Sequence, residues 1–243
     1  LFFSHLRAMQ IEVVATTAQG CIDAERNGAD RIELCMDLSC GGVTPSFGLL
    51  KAVLEAINIP VFVLIRAREG DFVYSQLEKE IMLDDIEISI QLGAHGIVAG
   101  ALTPTFEIDV PFLHAAKQAA GDVPFTFHRA FDETIEPFEA ARILFNAKVD
   151  RILTSGQAKI GPDGHDLIRK LMQQTECPQL LGGSGITPEN VLPLLQLGIP
   201  EIHFGARKWN PGHIGKGLFD PGYNEVDGAI VHQMRNLVDT FTS

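Results

Sequence analysis

Apolar residues fall along the chain in short runs of strand length, and the stretches between them carry apolar positions three and four apart, as amphipathic helices do. An internal near-repeat sets the order of these elements. Asn27-Gly-Ala-Asp-Arg-Ile-Glu-Leu34 is echoed by Leu92-Gly-Ala-His-Gly-Ile-Val-Ala99, by Asn146-Ala-Lys-Val-Asp-Arg-Ile-Leu153 and by Leu197-Gly-Ile-Pro-Glu-Ile-His-Phe204. Each echo reads as a helix end, a tight turn at Gly or Asn, and a buried strand. Glycine suits the left-handed turn that follows a helix.

Filling the gaps predicts eight strands: Ile11–Ala15, Arg31–Cys35, Val61–Arg66, Gly96–Leu102, Phe125–Ala130, Arg151–Thr154, Gln179–Gly182 and Glu201–Phe204. Helical patterns follow them over Ala18–Asn27, Phe47–Ala56, Leu77–Leu92, Pro111–Ala120, Pro137–Asn146, Gly164–Gln174, Pro188–Leu197 and Asp227–Thr240. Thr187-Pro188-Glu189 reads as a helix start with proline in the first turn. Strict alternation of strand and helix implies a parallel sheet. Eight units favour closure into an α/β fold, a single-domain (β/α)8 TIM barrel, over an open doubly wound sheet. The barrel is expected over residues 9–243. Met9 offers a start, which makes residues 1–8 an N-terminal extension or an expression remnant.

Barrels of this kind carry their chemistry at the C-terminal ends of the strands, and alternation sorts residues there by face. In the second strand Ile32 and Leu34 must meet the helices, so Glu33 and Cys35 point inward. The same logic turns Glu12, Arg66, Thr126, His128, Ser155 and His203 inward. Glu12, Glu33, Arg66 and His128 are therefore expected to converge in one solvent-reachable cavity. They form either a mutually neutralised buried network or a catalytic set of two carboxylates, a guanidinium and an imidazole. His128, beside Arg129 and Asp132 at a strand end, is the leading acid–base candidate.

Two glycine-rich turns stand after the seventh and eighth strands. Gly182, Gly183, Ser184 and Gly185, with Gly205, Ala206 and Arg207, make a candidate anion-binding set. Turns at these places form the common phosphate site of such barrels, with N–H groups of a helix start aimed at the anion. A tight turn packed on its neighbour is the alternative. Arg68 and Asp71, in Arg66-Ala-Arg-Glu-Gly-Asp-Phe72, suit either a carboxylate or phosphate ligand or a salt-bridged surface loop. The Gly- and Pro-rich stretch Ala206–Gly228 is long enough to be a lid.

Composition narrows the partners. Hydrophobic residues make up 46% of 243, enough for a sizeable core. The net charge of −12 disfavours nucleic acid and anionic lipid. The longest apolar run, Ile59 to Ile65, falls far short of the ~20 residues that span a bilayer. The four cysteines contain no CxxC pair, which argues against a zinc ribbon and for a reducing cytoplasm.

Several strings resemble the copper homeostasis protein CutC family: Gly28-Ala-Asp-Arg-Ile-Glu-Leu-Cys35, Gly41-Gly-Val-Thr-Pro-Ser46, Ile65-Arg66 with Gly70-Asp-Phe72, Thr126-Phe-His-Arg-Ala-Phe-Asp132 and Arg151-Ile-Leu-Thr-Ser-Gly156. The resemblance implies a cytoplasmic homodimeric barrel assigned to copper homeostasis. Cu(I) prefers soft thiolates. Cys35 stands where the family has its cysteine after Glu-Leu, and Cys40 is a further thiol nearby. Glu12-Val13-Val14 lacks the cysteine that relatives often carry on the first strand, and the arginine loop reads Arg-Ala-Arg-Glu-Gly rather than Arg-Pro-Arg-Gly-Gly. Two functions stay open. One is copper handling through Cys35 and Cys40. The other is a metal-independent isomerase, lyase or hydrolase acting on a small, phosphorylated metabolite, with no cofactor. No predicted strand holds a lysine for Schiff-base chemistry, and the first strand has no His-x-His for zinc.

Overall fold

The computed structural model describes residues 9–213, 218 and 222–242; the expected extension at residues 1–8 lies outside them. Eight parallel strands close into a barrel in chain order: β1 (Gln10–Ala15), β2 (Arg31–Leu34), β3 (Val61–Leu64), β4 (Gly96–Ala99), β5 (Phe125–Phe127), β6 (Arg151–Thr154), β7 (Gln179–Gly182) and β8 (Glu201–Phe204). β8 returns to pair with β1, Glu12 opposite His203. The helices are α1 (Ala18–Arg26), α2 (Phe47–Ala56), α3 (Gln76–Leu92), α4 (Val110–Ala120), α5 (Pro137–Asn146), α6 (His165–Met172), α7 (Leu192–Leu197) and α8 (Gly228–Thr242). The expected (β/α)8 barrel is the fold.

Local chemistry sets the helix ends. Thr17, Ser46 and Asp109 accept the free N–H groups of Gly20, Leu49 and Phe112. Ser75 and Glu78 close a capping box on α3. The repeated motif makes its turn with Gly28, Gly93 and Gly198, all at positive φ. In the copy at Asn146–Leu153, Lys148 takes that conformation instead, at φ 56, and not the expected Asn146.

Outward strand residues such as Ile11, Ile32, Val63, Ile97, Phe127 and Ile202 join the helices in the main core. The inward face is split by depth. Val14, Cys35, Phe62, Leu64 and Val98 form an apolar cluster. Beneath them lies a layer of charge. Arg31 donates to both Glu12 and Glu201, and Arg151 donates to Glu201 at 3.1 Å. Both guanidiniums also lie on the Phe62 ring, 4.7 and 5.1 Å from its centroid. Gly96 admits that ring: a Cβ there would stand 2.6 Å from it. Two arginines against two glutamates leave the layer neutral, as a buried position requires.

Four strands are shorter than their hydrophobic pattern, β2 by one residue, since it ends at Leu34. β3 ends at Leu64, β4 at Ala99 and β5 at Phe127. Beyond β4 only a single bridge forms, between Leu102 and Ile108. Beyond β5 the His128 ring accepts the Ala130 N–H and turns the chain into a 3-10 turn over Arg129–Glu133. The helix expected at Pro188 starts instead at Leu192, with Pro193 in its first turn. Thr187 to Asn190 forms a turn of its own, in which Thr187 N–H binds the Asn190 side chain and that side chain donates to the Gly185 carbonyl. Within the expected lid, β9 (Arg207–Asn210) and β10 (Tyr223–Val226) pair as an antiparallel hairpin. Residues 214–217 and 219–221 between them lie outside the described residues.

Candidate functional site

The C-terminal ends of the strands surround a cavity of about 320 Å³. Glu33, Arg66, His128, Arg129, His203 and Arg207 face it, with Leu38, Leu64, Phe72, Leu153 and Phe204 as apolar wall. Of the expected catalytic set, Glu33, Arg66 and His128 meet there. Glu12 does not line the cavity. It is fully buried one pleat lower, because alternation fixes a residue's face but not its depth in the lumen.

Glu12 is nonetheless coupled to the cavity through His203. Its Oε1 lies 2.7 Å from His203 Nδ1, while its other oxygen is held by Arg31. Burial alone would raise the Glu12 carboxyl, but the Arg31 charge and the His203 hydrogen bond overcome it and hold the group at about 2. Glu33 goes the other way. Burial pushes it up to about 7, His203 only partly offsets this, and the Glu12 charge adds to it. Its Oε2 is buried without a hydrogen-bond partner, 3.9 Å from His203 Nδ1. For His203 burial opposes the charge, yet Glu33 and the Glu12 hydrogen bond raise it. One donor atom from each of Glu12, Glu33 and His203 lies within 4.8 Å of the others.

Arg66 and His128 do not neutralise these carboxylates. The Arg66 guanidinium donates to the carbonyls of Cys40, Gly42 and Gly70, at 2.9, 2.8 and 2.6 Å, and so ties the loops after β2 and β3 together. Burial, then the Arg66 charge, push His128 down to about 3 and keep it neutral. Because its Nδ1 accepts from Ala130, the hydrogen sits on Nε2, which has no partner. Phe72 lies against this imidazole with centroids 4.9 Å apart.

Several expected lining residues serve the loops instead. Asp132 accepts from Thr154, from the Ser155 N–H and hydroxyl, and from Arg129. Ser155 is thus buried in a latch between the loops after β5 and β6, outside the cavity wall. Arg68 and Asp71 pair with each other at 3.0 Å, and Arg68 also binds Glu78; neither lines the cavity, since their charges are spent locally.

The glycine-rich turns divide in the same way. Gly182 belongs to β7, and a Cβ there would press on Ile199. Gly183 gives its N–H to the Thr154 carbonyl. Neither amide is available to an anion, so both depart from the expected set. Ser184, Gly185, Gly205 and Arg207 line the cavity, and with Ala206 they also border a neighbouring one of about 540 Å³ that includes Lys159. Ser184 and Ala206 adopt positive φ, 75 and 40, without being glycine, one strained residue in each loop. α7 begins only at Leu192 and gives them no helix start, but the start of α8 lies beside them: the Asp227 N–H binds the Ala206 carbonyl at 2.8 Å, and Ile230 and Gln233 border the second cavity.

Cys40 is partly exposed and lines the cavity, its thiol donating to the Asp37 carbonyl at 3.1 Å. Cys35 lies behind the wall in the apolar cluster, with its sulfur 3.3 Å from where a Gly42 Cβ would stand. Burial first, and the Glu33 charge next, raise its thiol far above the ordinary range. No third His, Cys, Asp or Glu donor groups with these cysteines among the described residues. Each cysteine is a soft donor of the type Cu(I) prefers, Cys40 at the cavity and Cys35 behind its wall.

Sequence reasoning missed Arg151, Glu201 and Phe72, and gave no role to Arg31, which shares the inward face of Glu33 on β2. Glu201 was findable, since it is two residues from His203 on β8 and must share its face.

Similarity to known proteins extends along nearly the whole chain. The model of the CutC family matches residues 9–208. The family protein CutC of Klebsiella pneumoniae strain 342 is 38% identical over 244 residues, covering 96% of this chain and 99% of that relative. The family protein CutC of Salmonella typhimurium strain LT2 is 41% identical over 239 residues, covering 94% and 96%. A crystal structure described as a copper homeostasis protein CutC, from Streptococcus agalactiae, superposes with a TM-score of 0.73 at 30% identity, covering 80% of this chain and 97% of that one.

Proposed function

Because the chain belongs to the CutC family, we propose that it serves copper homeostasis, with the mouth of its barrel as the working site and Cu(I) as cargo. The observation that carries this reading is the placement of two thiols on one loop, Cys40 at the cavity and Cys35 behind its wall. Soft thiolates suit Cu(I), and the high Cys35 thiol means that loading there expels a proton. The test is competitive Cu(I) titration of wild type, Cys35→Ser and Cys40→Ser. Weaker binding in each variant is expected. Equal affinity in all three would remove the cysteines from the site. Four unpaired cysteines support a reducing, cytoplasmic setting. Among the described residues no helix is long and apolar enough to cross a membrane. Exposed Phe106, Ile135 and Phe138 support the homodimer implied by the family, as a shared apolar face.

A second reading is favoured by the cavity's unpaired donors. His128 Nε2 and Arg66 Nε are buried without partners, and Arg129 and Arg207 add positive charge at the wall. Such donors suit a small anionic metabolite. Glu33, holding a proton up to about 7 beside His203, suits general acid–base work on it. On this reading the protein is an enzyme and the phosphate of its substrate rests on the Ser184–Gly185 and Gly205–Ala206 loops.

A further inference from the structure

We infer that Glu12, Glu33 and His203 form a binding site for one divalent first-row cation, of the Mn(II), Fe(II) or Zn(II) class, on the floor of the mouth cavity. The three residues sit on β1, β2 and β8, which are neighbours in the ring. Glu12 is the register partner of His203, and Val14 is the partner of Glu33, so Glu33 stands one pleat above Glu12. Donors fixed on strands hold a geometry better than donors on loops.

The spacing fits. Carboxylate and imidazole ligands at ~2.0–2.2 Å from a metal stand about 3–4 Å from one another. Here His203 Nδ1 is 2.7 Å from Glu12 Oε1 and 3.9 Å from Glu33 Oε2, and all three donors lie within 4.8 Å. Only small adjustments separate this arrangement from a coordinated one.

A second observation points to a missing cation. Glu33 is 5% exposed, and its Oε2 has no hydrogen-bond partner although it is aimed at His203. A buried carboxylate oxygen without a partner is costly, and a metal bond removes that cost. Arg31 supplies the outer support that ligating carboxylates need. It occupies one oxygen of Glu12 and leaves the other toward His203, so Glu12 is set to bind through a single oxygen. Glu33 and His203 both line the cavity, which gives the ion an entry path and an open side for water or a ligand.

Donor chemistry selects the ion. Two carboxylates and one imidazole are oxygen and nitrogen donors of the kind that suit Mn(II), Fe(II) and Zn(II), whereas Cu(I) prefers thiolate. The site shares no residue with Cys35 and Cys40, so its failure would leave the copper reading untouched.

The experiment is calorimetric titration of chelator-stripped protein with Mn(II) and with Zn(II), alongside loss of the free Mn(II) paramagnetic resonance signal. One equivalent should bind. Glu33→Gln, nearly the same shape, and His203→Gln should each weaken binding by about tenfold or more, while the double variant Cys35→Ser/Cys40→Ser should bind as wild type. Wild type that takes up no stoichiometric ion would overturn the proposal without reference to any variant. So would unchanged affinity in folded Glu33→Gln, or loss of binding in the cysteine double variant.

Discussion

Replacing Arg31 with methionine tests the charged layer of the lumen directly. Methionine keeps an unbranched apolar stem and removes the charge. Arg31, Glu12 and Glu201 are only 4, 0 and 2% exposed, so solvent screening does not soften their interaction. Glu201 keeps Arg151 and Glu12 keeps His203, so the variant loses one cation from between two carboxylates. Arg31 is the largest cause that lowers Glu12 from 4.5 to about 2, and His203 is the next; removing Arg31 from this buried set should cost about 3 kcal/mol, the low end of the ~3–5 kcal/mol typical of breaking a buried pair. A domain of ~5–15 kcal/mol can bear that loss and stay folded. The sign over pH is fixed. A depressed carboxylate stabilises fully above its unfolded value of 4.5, and that contribution disappears as pH falls toward 2. Arg31→Met should therefore be about 3 kcal/mol less stable than wild type at pH 7, and the gap should narrow between pH 4.5 and 2. Adding Glu12→Gln should recover much of the loss, since no bare carboxylate then remains at that position. Urea unfolding at a series of pH values measures this, with an unchanged m-value as the check on two-state comparison. A variant within about 1 kcal/mol of wild type at pH 7, or a gap that stays constant on acidification, would refute the argument.

Two further outcomes follow from the loops. Asp132→Ala strips a 5%-exposed latch of its bonds to Thr154, Ser155 and Arg129, and should cost about 3 kcal/mol in chemical unfolding; no measurable loss would show that the loops after β5 and β6 hold without it. Inorganic phosphate at millimolar concentration should shift the amide resonances of Ser184, Gly185, Gly205 and Ala206, more weakly in Arg207→Gln, and silence from all four amides would end the anion reading.

The barrel was legible because its signal is redundant. Four copies of one turn, and eight apolar runs, constrain one another. β6, β7 and β8 fall where their patterns end. β3, β4 and β5 do not, since Ile65, Ala101 and Ala130 stay buried after the ladder has stopped, and burial rather than pairing is what hydrophobicity reports. The start of α7 was misread because Pro188 and Pro193 offer the same signal five residues apart, and the Asn190 side chain decides between them. In the site, alternation correctly turned Glu12, Glu33, Arg66, His128 and His203 inward. It carries no information on depth, so Glu12 and Cys35 were expected at a cavity that passes above or in front of them. Nor does it reveal pairing across the lumen. Arg68 and Asp71 neutralise each other, and Arg66 serves three carbonyls, because of loop paths that no strand pattern encodes.

The lumen's ion pairs also bear on how the molecule is assembled. Arg31 finds Glu12 only 19 residues away, within the first two strands to leave the ribosome. Arg151 finds Glu201 50 residues away, within the last three. The bond from Arg31 to Glu201 spans 170 residues and exists only once β8 has docked on β1. Each half of the nascent chain thus carries a charge pair that is complete in itself, and neither half must wait for the other to hide a lone charge. The late contacts across the β1–β8 junction then fasten the two halves, so synthesis from the N-terminus can proceed with Glu12 matched by Arg31 from the start and Glu201 matched by Arg151 as soon as β8 is made.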